Sequence, residues 1–268
     1  MASFSVVTNI ASANAQSNLG ATNIGLNKAL SRLSSGFRIN TSGDDAAGLA
    51  VANTYRNEVA VLNQGIRNAN DGLSKLQIKD SALANISTIL DRMATLATQA
   101  SSASNGVDVT KLSTEFGTLT SEIIREANVA DLTTGGSFSV FVSSEATVSD
   151  GGVSSSIGAV TLTALGITET SFTDAASAQA VLAKVKTAIS NLGTTQNTVG
   201  TLQNRLQFAI SLAQSQVVNT QAAESRIRDA NIAEESANMT RFNILSQSGI
   251  AALAQANATS SSVLALLR

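Results

Sequence analysis

The chain contains no cysteine, no proline, no histidine and no tryptophan. Without cysteine there are no disulfides and no thiolate metal ligands. Without histidine the commonest metal ligand and general base is missing. The absence of proline suits long helices that nothing interrupts. Charge is scarce as well: 13% of the 268 residues carry one, and the net charge is -2. That leaves no basic face of the kind nucleic-acid binding needs. There is no P-loop and no G-x-G-x-x-G, so no enzyme class and no cofactor is indicated. No basic segment followed by an apolar run stands at the N-terminus, so any export is expected to cleave nothing off.

What charge there is avoids the two ends. Residues 242–267 contain none, and only Arg268 closes the run. Met239, Phe242, Gly249, Leu253, Ala256, Val263 and Leu267 recur at helical spacing. The far face of that helix carries only Asn, Gln, Ser and Thr. A membrane span needs roughly 20 mostly apolar residues, and Asn243, Gln247, Gln255, Asn257 and the 259–262 run interrupt this one. Enclosure by other protein fits better, and a single chain offers too little to do the enclosing. The N-terminal end mirrors the tail. Up to Gly43 the only charges are Lys28, Arg32 and Arg38. Leu19, Asn23, Leu26, Leu30, Leu33 and Phe37 form a heptad seam with one polar residue, Asn23, of a type that can fix register.

Between the ends the pattern is that of long helices. Residues 34–48 break the first helix: Gly36 and Gly43 suit turns, and Asp44 or Ser42 suits the N-cap of the next. Asp44 and Asp45 read as acids complementing a helix dipole, since no third catalytic group accompanies them. The next stripe runs Val59, Leu62, Ile66, Ala69, Leu73, Leu76, slips near Asp80, and resumes at Leu83, Ile86, Leu90, Met93 and Ala97. It predicts a rod of roughly 60 Å, with Gly72 kept inside at about 1 kcal/mol. Residues 101–108 read as a loop. A third helix carries Val109, Leu112, Phe116, Leu119, Ile123 and Ala130. From 133 to 173 helical spacing vanishes. Residues 137–142 and 159–163 alternate as strands do, with a turn at 149–152, placing a small β element at the tip of the rod. Asp174 caps a further helix through Val181 or Leu182, Val185, Ile189 and Leu192. Its stripe pauses at 193–200 and resumes at Leu202, Leu206, Ala209 and Ala213. Charges then gather at Glu224, Arg226, Arg228, Asp229, Glu234, Glu235 and Arg241.

The expected fold is therefore mainly α: a long antiparallel helical rod, paired N- and C-terminal coiled-coil helices, and a small β-hairpin at the tip. Three regions are expected. Residues 1–42 with 228–268 form the terminal coiled coil, 43–134 with 174–227 the rod, and 135–173 a Gly/Ser/Thr-rich β region.

Several long motifs carry a family resemblance. LSRLSSGFRINTSGDDAAGLAVA (30–52), RNANDGLSKLQ (67–77) and LDRMATLATQAS (90–101) stand in the first half. GTLQNRL (200–206), SRIRDANIAEESANMT (225–240), LAQAN (253–257) and VLALLR (263–268) stand in the second. In this order they resemble bacterial flagellin, over about the first 130 and last 90 residues. Gly43 replaces a Lys common before the Asp pair, and no Asn-Gly turn follows the third helix. The resemblance implies a structural subunit, not an enzyme, that polymerises into the extracellular flagellar filament for swimming motility. A hook–filament junction protein of the same architecture is the alternative. It implies that Leu19, Leu26, Leu30, Leu33, Phe37, Met239, Phe242, Leu253, Val263 and Leu267 pack the filament core. The β region would face outward. Implied partners are further copies of the chain, a flagellar export chaperone on the C-terminal tail, and the cap and hook-junction proteins. Arg92, Leu96 and Glu115 match positions through which a Toll-like immune receptor reads many flagellins. No cofactor, nucleic acid or membrane is implied.

Overall fold

The structure is a computed structural model that describes residues 8–102, 108–143 and 151–266, with 260–266 by backbone alone. In chain order its elements are α1 (Ile10–Ser35), α2 (Ala46–Ser101), α3 (Val109–Val129), β1 (Gly136–Phe141), β2 (Gly152–Ile157), the single turn α4 (Leu162–Leu165), α5 (Ala175–Arg228) and α6 (Ile232–Leu266). Two compact units divide within α2 and α5: Met1–Asn57 with Asn219–Arg268, and Glu58–Val218. Among the described residues no helix is long and apolar enough to cross a membrane.

The unit spanning 58–218 is built on α2 and α5, which pair antiparallel. The α2 stripe follows the sequence: Leu62, Ala69, Leu76, Leu83, Ile86, Leu90, Met93 and Ala97 are all buried, with Ile66 and Leu73 packed against them. On α5 the buried positions are Ala178, Val181, Val185, Ala188, Leu192, Thr195, Val199, Leu202, Leu206 and Ala213. From Ala178 to Leu206 their steps alternate between three and four without a pause. The interruption expected at 193–200 does not occur, because Thr195 and Val199 fill the seam positions there. Helix α3 starts at the Asp108 cap, whose carboxylate accepts from Thr110 and Lys111 N–H. Its Phe116 meets Phe172 edge-on, ring centroids 5.5 Å apart. The helix ends in a reversal: Leu132 N–H bonds Ala127 O at 2.8 Å, and Asp131 adopts φ 51°. That is the left-handed C-terminal closure usually given to glycine. The Lys79 ammonium donates to Ala130 O at 3.0 Å, and burial pulls its pKa below the usual lysine value.

The hairpin differs from expectation in two ways. β1 pairs antiparallel with β2, Gly136 facing Ile157 and Phe141 facing Gly152. The second strand is therefore GVSSSI, not residues 159–163, where the chain instead forms the start of α4. Only Val153 and Ile157 of β2 are buried, so its serines hid the alternation. Residues 149 and 150 of the expected turn lie outside the described residues. The hairpin also lies alongside α2 and not beyond its end. A Cβ on Gly65 would stand 2.2 Å from Val142 O, and one on Gly72 would stand 2.7 Å from Val140 Cγ2. Two helical glycines thus let strand and helix approach closely.

Candidate assembly surface

The other unit holds both charge-poor ends. α1 and α6 run antiparallel, and their meeting points define a single alignment. The Asn9 side-chain amide donates to Ala256 O at 2.9 Å, and the same residue caps α1 through Ser12 N–H. Leu19 lies against Gly249, and the Phe242 ring lies against Gly25, where a Cβ would be 2.6 Å from its edge. Arg32 reaches Glu235 at 2.8 Å. At the base, Gly36 closes α1 in the left-handed region. Phe37 then bridges Asp229, with Arg38 N–H bonding Arg228 O and Ala230 N–H bonding Gly36 O. The Arg228 guanidinium sits 4.1 Å from the Phe37 ring centroid. This clasp interrupts the helix between α5 and α6. Asn231 restarts it, its side-chain oxygen accepting from Ala233 and Glu234 N–H.

The seam between these helices is thin. On α6 the inward positions are Glu235, Met239, Phe242, Ser246, Gly249, Leu253 and Ala256. On α1 they are Leu19, Thr22, Gly25, Leu26, Ala29, Arg32 and Leu33. Asn23 and Leu30, expected in the seam, are exposed; Thr22 and Ala29 take those places one residue earlier. Small residues win there because they let the helices approach. Among the described side chains, Ala29 is the one buried residue of α1 and Glu235 the one of α6. Large apolar groups meanwhile face out: Ile10, Ile24 (72% exposed) and Leu30 on α1, and Ile232, Ile244, Leu245 and Ile250 on α6.

Leu19, Leu26, Leu33, Phe37, Met239, Phe242 and Leu253 are each half-buried. The Val263 side chain and all of Leu267 lie outside the described residues. At the far end of α2, Arg92 donates through Nε and Nη2 to Glu115 Oε1 at 2.9 and 2.6 Å, an exposed pair. Leu96 is fully buried beneath and offers nothing to a surface contact.

Two further features went unread in the sequence. Asp45, not Asp44 or Ser42, caps α2, its carboxylate accepting from Gly48 N–H at 2.9 Å. Asp44 instead pairs with Lys28 at 2.6 Å and accepts from Asn40 and Thr41 N–H. The Lys28 hydrogen bond, followed by those backbone donors, pulls its pKa down to about 2.

Comparison with known proteins places the chain in a family. Residues 6–142 match the bacterial flagellin N-terminal helical region, and 182–267 match the C-terminal helical region. A flagellin of Halalkalibacterium halodurans is 36% identical over 97% of this chain and 98% of its own length. Flagellin FlaB1 of Treponema pallidum is 34% identical over 95% and 96%. The crystal structure of Bacillus cereus flagellin superposes with a TM-score of 0.48 at 32% identity, covering 59% of this chain and 94% of that one. The chain belongs to the bacterial flagellins, the non-enzymatic subunits that self-assemble into the extracellular filament of the flagellum.

Proposed function

We propose that the α1·α6 pair is the surface through which copies of this chain pack in the filament. Leu19, Leu26, Leu30, Leu33, Phe37, Met239, Phe242 and Leu253, continued by Val263 and Leu267, would be the packing residues. On this reading 1–42 with 228–268 is the filament-core region, 43–134 with 174–227 the helical rod, and 135–173 an outward-facing β region.

The observation that supports it is the exposure of seven large apolar side chains on two helices whose shared seam buries almost nothing. Covering what each still exposes is worth about 1–2 kcal/mol. Together that is of the order of the cost of association, about 4–15 kcal/mol. Charge on this surface is sparse, with Lys28 on α1 and Glu234 and Arg241 on α6 its exposed charged residues, so few charges have to be desolvated on burial.

A chain truncated before Phe242 tests this. It keeps α2, α3, α5 and the hairpin, and is expected to stay helical, soluble and monomeric by sedimentation. Filaments from that chain in electron micrographs would overturn the reading. Further partners follow from the family: an export chaperone on the C-terminal tail, the cap, and the hook-junction proteins. A Toll-like receptor reading this chain would meet Arg92 and Glu115, with Leu96 acting from below by holding the helix. A receptor reporter responding equally to the native chain and to Arg92→Ala with Glu115→Ala would exclude that contact.

A further inference from the structure

The apolar groups of the α1·α6 seam are weak guides to its alignment. Gly25 lies against Phe242 and Gly249 against Leu19. Thr22, Ala29 and Ser246 are small, and Leu19, Leu26, Leu33, Met239 and Leu253 are only half-buried, so their burial changes little when one helix slides past the other by a heptad. Something more specific must set the register. The Arg32–Glu235 pair qualifies, because Glu235 is the one buried acid among the described residues. A buried carboxylate without its cation is strongly unfavourable. A slip of one heptad would set Glu235 level with Gly25 or Ile39, neither of which can pair with it. The same slip would carry Phe242 from Gly25 to Asn18 or Arg32, which have side chains where the ring needs space.

We propose that Arg32 and Glu235, with Phe242 seated at Gly25, determine the register of filament assembly. They hold α1 and α6 in the alignment that places Ile24, Leu30, Ile244 and Leu245 for neighbouring copies. Arg32 and Glu235 are positioning residues: they act through the helix pair and touch no neighbour themselves. The cost of leaving Glu235 unpaired disfavours every other alignment, so the pair contributes specificity more than stability. Phe37 and Arg228 extend the same device at the base of the helices, where Arg38 N–H meets Arg228 O at 2.6 Å. The proposal rests on the reading of this pair as the packing surface.

The absence of native cysteine makes the register directly measurable. The Leu19 Cβ and a Cβ built on Gly249 are 3.9 Å apart, within the span of about 3.5–4.5 Å that a disulfide needs. The L19C/G249C chain is expected to cross-link on oxidation, and L19C/A256C, one heptad away, is not. Arg32→Glu or Glu235→Arg placed in the first background should lose most of its cross-link, because no alignment is then specifically favoured. In the cysteine-free chain, either single reversal should lose filaments, and R32E/E235R together should restore both filaments and the native cross-link. Unchanged thermal melting of the α2·α5 core checks that each variant folds. Reversals that stop assembly but keep the L19C/G249C cross-link would overturn the proposal and leave the packing reading standing. So would reversals that keep their filaments, or a double variant that restores neither. The packing reading fails separately, if the chain truncated before Phe242 polymerises.

Discussion

The helix pairs α2·α5 and α1·α6 use the same three-and-four spacing and reach different outcomes. In the first, Leu76, Leu83, Ile86, Leu90 and Met93 meet Leu192, Leu202 and Leu206, and all are buried. Helix α3 and the hairpin cover part of that pair's outer surface. In the second, small residues (Thr22, Gly25, Ala29, Ser246, Gly249 and Ala256) alternate with large ones that stay only half-buried, and nothing further covers the helices within the described residues. Periodicity decides which residues face the partner helix. Side-chain volume decides whether facing it is enough for stability. Where volume is lacking, isolated helices are marginal, and on the proposed reading the missing enclosure comes from other copies of the chain.

This comparison can be broken at several points. The largest effect is expected from Leu90→Ala, which should destabilise the α2·α5 unit by about 3 kcal/mol. Leu253→Ala, in the half-buried seam, should shift monomer melting hardly at all. Equal losses in the two would remove the distinction. Gly65→Ala comes next. It gains about 1 kcal/mol of helix propensity, but its methyl meets a backbone carbonyl that cannot swing away. A net loss of about 1–2 kcal/mol is expected, read in a denaturant melt; a stabilised variant would show that the hairpin does not press on α2. Asp45→Ala should cost about 1 kcal/mol by removing the α2 cap, whereas Ser42→Ala should cost nothing measurable.

Acidification gives the smallest effect. Asp44 has a folded pKa of about 2, below that of an unfolded aspartate. Its contribution is therefore complete above about pH 4 and is lost as pH falls towards 2. Lys28 is half-exposed and solvent screens the pair, so about 1 kcal/mol is at stake. Asp44→Asn should flatten that part of the pH profile; an unchanged profile would place the acid sensitivity elsewhere.

The long stripes of α2, α3 and α5 were legible because large apolar residues mark most seam positions; the one gap read into α5, at 193–200, falls where Thr195 holds a seam place. The α6 seam was legible through Met239, Phe242 and Leu253, apart from Ser246. The α1 seam was misplaced at Asn23 and Leu30, because volume pointed to Leu30 while the actual partner favours Ala29. β2 was missed because three serines separate Val153 from Ile157, and only these two apolar residues turn inward. The clasp left no signal either. Residues 225–235 contain no glycine or proline, so the break between α5 and α6 depends on backbone bonds to residues 36–38, distant in sequence. The close fit of Gly65 and Gly72 to the hairpin likewise exists only in three dimensions.

Hydrogen exchange, compared residue by residue between monomer and filament, tests the central claim most directly. In the monomer the amides of α1 and of 232–259 should exchange fast while the buried core of α2 and α5 stays protected. In the filament, protection of α1 and α6 should rise by at least about a hundredfold, with the α2·α5 core little changed. Terminal helices already as protected in the monomer as in the filament would contradict the account.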